Sequence, residues 1–141
     1  MIRYEFKEEE SSIGRILRPV ADVVLERDEF KVEILMYIDS GADISMIPYR
    51  FGKALGLKQE KNDIIREVKG ISGAGIPYSI KEITLILNGR KLKARIAWAL
   101  VEEVPMLMGR MDIFDKFRII FDEKRGWIDF EEGEDLQSKE K

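Results

Sequence analysis

The chain has 141 residues, 24 basic and 27 acidic for a formal charge of -3, and it contains neither histidine nor cysteine. Those two absences exclude histidine-based nucleophile pairs, thiolate chemistry, disulfides and Cys/His metal sites, and leave carboxylate, lysine and tyrosine for acid–base work. An apolar fraction of 45% at this length fits one packed domain, predicted over residues 1–130. Residues 131–141 read as an acidic, mobile tail: Glu131, Glu132, Glu134, Asp135 and Glu140 outweigh Lys139 and Lys141 and account for the whole net charge. The neutral body gives no basic footprint for nucleic acid, and apolar runs as short as Ile34 to Ile38 cannot span a bilayer. A soluble, cytoplasmic protein is expected, with no nucleic-acid or membrane partner.

Hydrophobicity alternates with period two between turn residues, which predicts a mostly β fold. Residues 2–6 open as a strand, and Glu8 to Ser12 make a polar connection. Ile16 to Glu26 and Phe30 to Ile38 form two strands of a hairpin, turned at Arg27-Asp28-Glu29, that delivers the chain to Asp39. Beyond Asp39-Ser40-Gly41-Ala42, residues 44–47 are again strand-like. Pro48 starts a short helix to about Leu55, and Gly56 suits its carboxyl-terminal cap. Residues 64–69 and 79–87 are predicted strands flanking the glycine-rich Gly70 to Pro77. Asn88-Gly89 then signals a two-residue hairpin answered by Lys91 to Val101. Here Lys91 and Lys93 alternate with Leu92 and Ala94, as the wet face of a strand does. Met111 to Phe114 is read as a short helix, with 117–121 and 127–130 as closing strands and Trp98 and Trp127 as packing aromatics.

The tetrapeptide at 39–42 lies between two apolar strands, so Asp39 is a carboxylate held on a tight loop. Gly41 permits close backbone approach, Ser40 offers a hydroxyl to brace the loop and Ala42 leaves room beside the acid. Such a motif arises by chance roughly once in a few hundred chains of this length. Three further features follow in order: Asp43 and Ser45 directly after it, the glycine-rich hairpin, and Leu107-Met108-Gly109-Arg110 before a short helix. On these residues, spread over about 30–130, the chain resembles the retroviral-type (retropepsin-like) aspartic proteases.

The resemblance implies an all-β, closed barrel-like fold with one or two short helices. It implies an aspartic endopeptidase in which Asp39 is the catalytic acid/base. A chain with one Asp-Ser/Thr-Gly loop completes a two-carboxylate site only by pairing with a copy of itself, so a homodimer with Asp39 and its mate at the twofold axis is expected. Water is the nucleophile, and neither metal nor organic cofactor is called for. By the same resemblance Ser40, Gly41, Ala42, Asp43 and Arg110 support the loop, with Asp43 and Arg110 as an ion pair. Gly41, Met46, Pro105 and Leu107 touch an extended peptide substrate. Ile71, Ser72, Gly73, Ala74, Gly75 and Ile76 form a flap over it, and Trp127 to Phe130 is a candidate for an intersubunit sheet. The bland alternatives are a turn aspartate at 39 and an ordinary flexible hairpin at 70–77. The alternative function is a non-proteolytic peptide-binding or dimerisation module on the same scaffold.

Overall fold

The computed structural model describes residues 1–69 and 75–132. In chain order the strands are β1 (Ile2–Glu5), β2 (Lys7–Ser11), β3 (Gly14–Arg18), β4 (Val20–Arg27), β5 (Phe30–Ile38) and β6 (Ser45–Ile47). Helix α1 (Tyr49–Ala54) follows, then β7 (Arg66–Lys69), β8 (Gly75–Leu87), β9 (Arg90–Ala99), β10 (Leu107–Met108), β11 (Arg118–Asp122) and β12 (Trp127–Glu131). The main sheet runs β4-β5-β10-β6-β9-β8, with β7 beyond β8. Pairing of Val24, Leu25 and Glu26 with Ile86, Leu85 and Thr84 joins β4 back to β8 and closes a six-stranded barrel.

Closure follows from the alternation. Ile34, Met36 and Ile38 on β5, Ile83, Leu85 and Leu87 on β8, and Leu92, Ala94, Ile96 and Trp98 on β9 all point into one core. A one-residue slip of any of these strands would turn that set to water. Among the outward members, Lys91 and Lys93 are exposed beside buried Leu92 and Ala94, as the sequence pattern predicts. The β8–β9 turn has Asn88 at φ 45° and Gly89 at φ 87°, the left-handed pair that a two-residue hairpin requires.

Helix α1 begins one residue after Pro48, which stands at its N-cap, and it packs against β5 and β9. Trp98 is fully buried; its indole stacks on Tyr49 at 5.2 Å between ring centres and donates to the Tyr49 carbonyl at 3.0 Å. Gly52 lets the helix come this close, since a Cβ there would lie 2.0 Å from the Trp98 Nε1.

Four sequence expectations change in the folded chain. Residues 8–12 are not a connection: β2 pairs with β3, because its acids find cross-strand partners in Arg15, which meets Glu8 and Glu10, and Arg18, which meets Glu9. The single strand expected at 16–26 divides at Pro19, which lacks the N–H to continue a ladder. The helical turn after Arg110 is a 3-10 turn at Phe114–Lys116, later than the 111–114 expected. Finally, Trp127 to Phe130, a candidate for an intersubunit sheet, finds strand partners on both edges within its own chain. β12 is the central strand of a three-stranded sheet, paired to β1 on one side and β11 on the other within its own chain. Arg3 fastens that sheet, bonding both oxygens of buried Asp129 at 2.6 and 2.9 Å while lying over the Trp127 ring. Residues 133–141, most of the expected tail, lie outside the described residues. Among the described residues no helix is long and apolar enough to cross a membrane.

Candidate active site

Strand β5 ends at Ile38, and the next residue, Asp39, opens the loop that returns as β6. The short β10 inserts between these two strands. Leu107 and Met108 pair in parallel with Tyr37 and Ile38, and Leu107 pairs antiparallel with Met46. The backbone N–H of Tyr37 donates to Met106 O at 2.8 Å and that of Asp39 to Met108 O at 3.0 Å, so the strand carrying the acid is held right up to it.

The loop is then tied from within and from below. Ala42 N–H donates to Asp39 O at 3.1 Å, and Gly41 N–H donates to Asp39 Oδ1 at 2.8 Å. Asp39 is half-buried, and its Oδ2 has no hydrogen-bond partner among the described residues. From the other side, Arg110 N–H donates to Ala42 O and Met111 N–H to Asp43 O, each at 2.9 Å. Gly109 N–H donates to the Ser45 Oγ at 2.9 Å, with both residues buried. A Cβ on Gly109 would lie 2.5 Å from the Ile44 carbonyl carbon and 2.9 Å from Ala42 O, so only glycine lets the two segments meet. The result is one carboxylate with a fixed backbone and one free oxygen.

The ion pair expected between Asp43 and Arg110 is absent. Both side chains are exposed, and the two segments are linked through the backbone instead. The ion pair next along the chain is Arg95 with Asp112: the guanidinium bonds both carboxylate oxygens at 2.8 and 2.9 Å, and the Arg95 backbone N–H adds a third bond at 2.9 Å. The Arg95 hydrogen bonds hold the Asp112 carboxyl at about 2, below its ordinary 3.8. A depressed carboxylate contributes stability above its unfolded value and loses it as pH falls through the folded one. Asp112→Asn should therefore cost about 1 kcal/mol at neutral pH, the upper end for a pair with an exposed partner. That difference should shrink between pH 4 and pH 2 in urea melts. Asparagine tolerates the φ of 66° at this position as aspartate does, so the comparison isolates the charge.

Ser40 and Gly41 are exposed at the tip of the loop, beside half-buried Ala42. Met46, with Ala97 and Ala99, forms a small second apolar cluster joined by Ile44, Ile76, Tyr78 and Val104. Ile76 and Tyr78 belong to the β7–β8 hairpin, opposite Val68 and Arg66, so the base of the predicted flap packs over this cluster. Gly75 is half-buried at the start of β8; Ile71, Ser72, Gly73 and Ala74 lie outside the described residues. Pro105 is exposed, whereas Leu107 lies in a cleft of about 520 Å³ with Asp39. The cleft is completed by Glu9, Arg18, Pro19, Tyr37 and Ile38.

Tyr37, Glu9 and Arg18 belong to no motif in the sequence, whereas Ser45 and Gly109 stand in the motifs that carry the resemblance without their mutual bond being legible there. Tyr37 had a legible signal, since period two puts it on the same side as Asp39. For Ser45→Ala, which orphans the buried Gly109 N–H, a loss of about 1–2 kcal/mol in unfolding free energy is expected.

No family model and no curated protein sequence matches the chain. Solved structures do. A retropepsin-like aspartic protease from Rickettsia conorii aligns at a TM-score of 0.63 and 15% identity, over 91% of this chain and 98% of that one. EIAV protease, in complex with the inhibitor HBY-793, aligns at 0.52 and 22%, over 66% and 82%. The fold is that of the retropepsin-like aspartic proteases. Within this retropepsin-like fold the three-stranded terminal sheet lies outside the barrel, and the Asp39 loop with its β10 insertion belongs to the barrel itself.

Proposed function

We propose that the chain is an aspartic endopeptidase, active as a twofold homodimer in which Asp39 from each copy forms the catalytic pair. The observation that carries this reading is the Asp39 loop: a carboxylate with one oxygen engaged by Gly41 N–H and one unpartnered, on a backbone fixed from both sides by β10 and the segment after it. Such rigidity suits a group that must meet its symmetry mate at close range.

Two carboxylates that close share a single proton. The ionised member takes a proton from water as the water attacks the peptide carbonyl, and the protonated member donates to the substrate; the proton state belongs to the pair. Ser40 braces the loops across the axis, and Gly41 presents backbone groups to an extended peptide. Asp43 and Arg110 keep a supporting role through the backbone bonds of their segments. Met46, Leu107, Pro105 and Ile76 offer apolar surface to substrate side chains.

The test is cleavage of a broad peptide library by the wild type and by Asp39→Asn from acidic to neutral pH, with the particle mass measured at the assay concentration. Cleavage confined to the wild type, by a dimer, is expected. Equal cleavage by both, or full activity in a monomer, would overturn the assignment.

A further inference from the structure

Glu9 and Arg18 come from β2 and β3, yet they line the same cleft as Asp39. Antiparallel pairing sets Lys7 opposite Arg18 and Glu9 opposite Ile16, which puts Glu9 and Arg18 on one face of the β2–β3 hairpin. Glu8, Glu10 and Arg15 occupy the other face, where they bond one another. The hairpin is anchored to the acid-bearing strand by Glu9, whose Oε2 accepts from the Tyr37 hydroxyl at 2.6 Å and whose Oε1 accepts from Arg18 Nε at 3.2 Å.

Donors and acceptors are not balanced in this cluster. Both Glu9 oxygens are engaged, and the Tyr37 hydroxyl spends its proton on Glu9. Arg18 uses Nε alone, so its two terminal nitrogens have no hydrogen-bond partner among the described residues. A guanidinium has five N–H groups in a planar fork that matches a carboxylate, so Arg18 offers unengaged cationic donors in the cleft, beside the unpartnered Asp39 Oδ2. Tyr37 and Leu107, adjacent in the β5–β10 register, provide a floor for an aliphatic stem. The Glu9 hydrogen bond and charge also raise the Tyr37 hydroxyl above its ordinary value, so it stays protonated as the anchor of the hairpin through neutral pH.

We propose that the β2–β3 hairpin is a specificity arm of the substrate cleft, in which Arg18, oriented by Glu9 and Tyr37, selects peptides bearing a glutamate or aspartate side chain close to the cleaved bond. The proposal rests on Asp39 marking the substrate cleft, and it adds the substrate class. Arg18 reads the carboxylate directly; Glu9 is a positioning residue that acts through Arg18.

The test uses short peptides of mixed apolar residues with a single Glu, Gln or Lys at varied positions. Their kcat/KM is measured with the wild type, and their binding is measured by fluorescence anisotropy on Asp39→Asn, which reads recognition without turnover. The Glu peptide should be favoured over its Gln counterpart by about fivefold to tenfold in both readouts, the size of one charge-assisted contact at a part-exposed position. The preference should disappear when Arg18→Gln is introduced into either background, persist in part in Arg18→Lys, and fade below about pH 4 as the peptide carboxyl protonates. Equal handling of Glu and Gln, a preference for Lys, absence of peptide binding, or a Glu preference that survives Arg18→Gln would overturn the proposal. Failure of the two ideas is separable: Glu-selective binding without any cleavage removes the endopeptidase and keeps the arm, whereas unselective cleavage does the reverse.

Discussion

Asparagine at position 39 is expected to lower kcat/KM for any cleaved peptide by about a thousandfold, the scale of losing a positioned acid–base group. Thermal and urea unfolding should be almost unchanged. The reasoning is local. The Asp39 backbone is held by Met108 O and Ala42 N–H, neither of which involves the side chain. An asparagine carbonyl still accepts from Gly41 N–H as Oδ1 does, so the loop geometry survives while the ionisable oxygen is lost. Because the proposed site takes one carboxylate from each copy, the variant should also poison the wild type. In an equal mixture that exchanges freely, about a quarter of the dimers retain two aspartates, and activity should fall to that level rather than to half. Activity that tracks wild-type concentration linearly would show that one carboxylate suffices.

Alanine at position 109 should be strongly damaging. Its Cβ would meet the Ile44 carbonyl carbon at 2.5 Å, the Ile44 oxygen at 2.6 Å and Ala42 O at 2.9 Å, all backbone atoms of the loop beside the acid. No side chain is present there to swing aside. The loop must move away from β10, which strains the Ser45 and Arg110 contacts together. A cost of about 3 kcal/mol or more is expected, at the upper end for overpacking, out of a total of order 10 kcal/mol. Activity should be lost even where the variant remains folded. A Gly109→Ala chain with wild-type stability and turnover would mean that the close approach of the two segments is dispensable.

The barrel was legible because its strands are wet on one side: Lys91 and Lys93 against Leu92 and Ala94, or Ile83, Leu85 and Leu87 along β8, state the inward face directly. The Asn88-Gly89 turn carried its own backbone geometry. The acid loop was legible for another reason, namely that a short, ordered set of residues describes it. Contacts between segments distant in sequence were not legible. The acids of residues 8–10 read as a solvated link until Arg15 and Arg18 stood opposite them, and no local pattern says that Glu9 reaches Tyr37, 28 positions away. Asp43 and Arg110 depart in the opposite direction: the resemblance implies a side-chain pair, whereas the backbone joins their segments and leaves both side chains exposed.

The terminal sheet bears on how the proposed pair would assemble. β1 and β11 occupy both edges of β12 inside a single chain, so that sheet leaves its central strand no pairing to complete with another copy. On the proposed dimeric reading, folding would be first-order in each polypeptide and only the meeting of two Asp39 loops second-order, so cleavage would rise with the square of the subunit concentration while pairs are scarce.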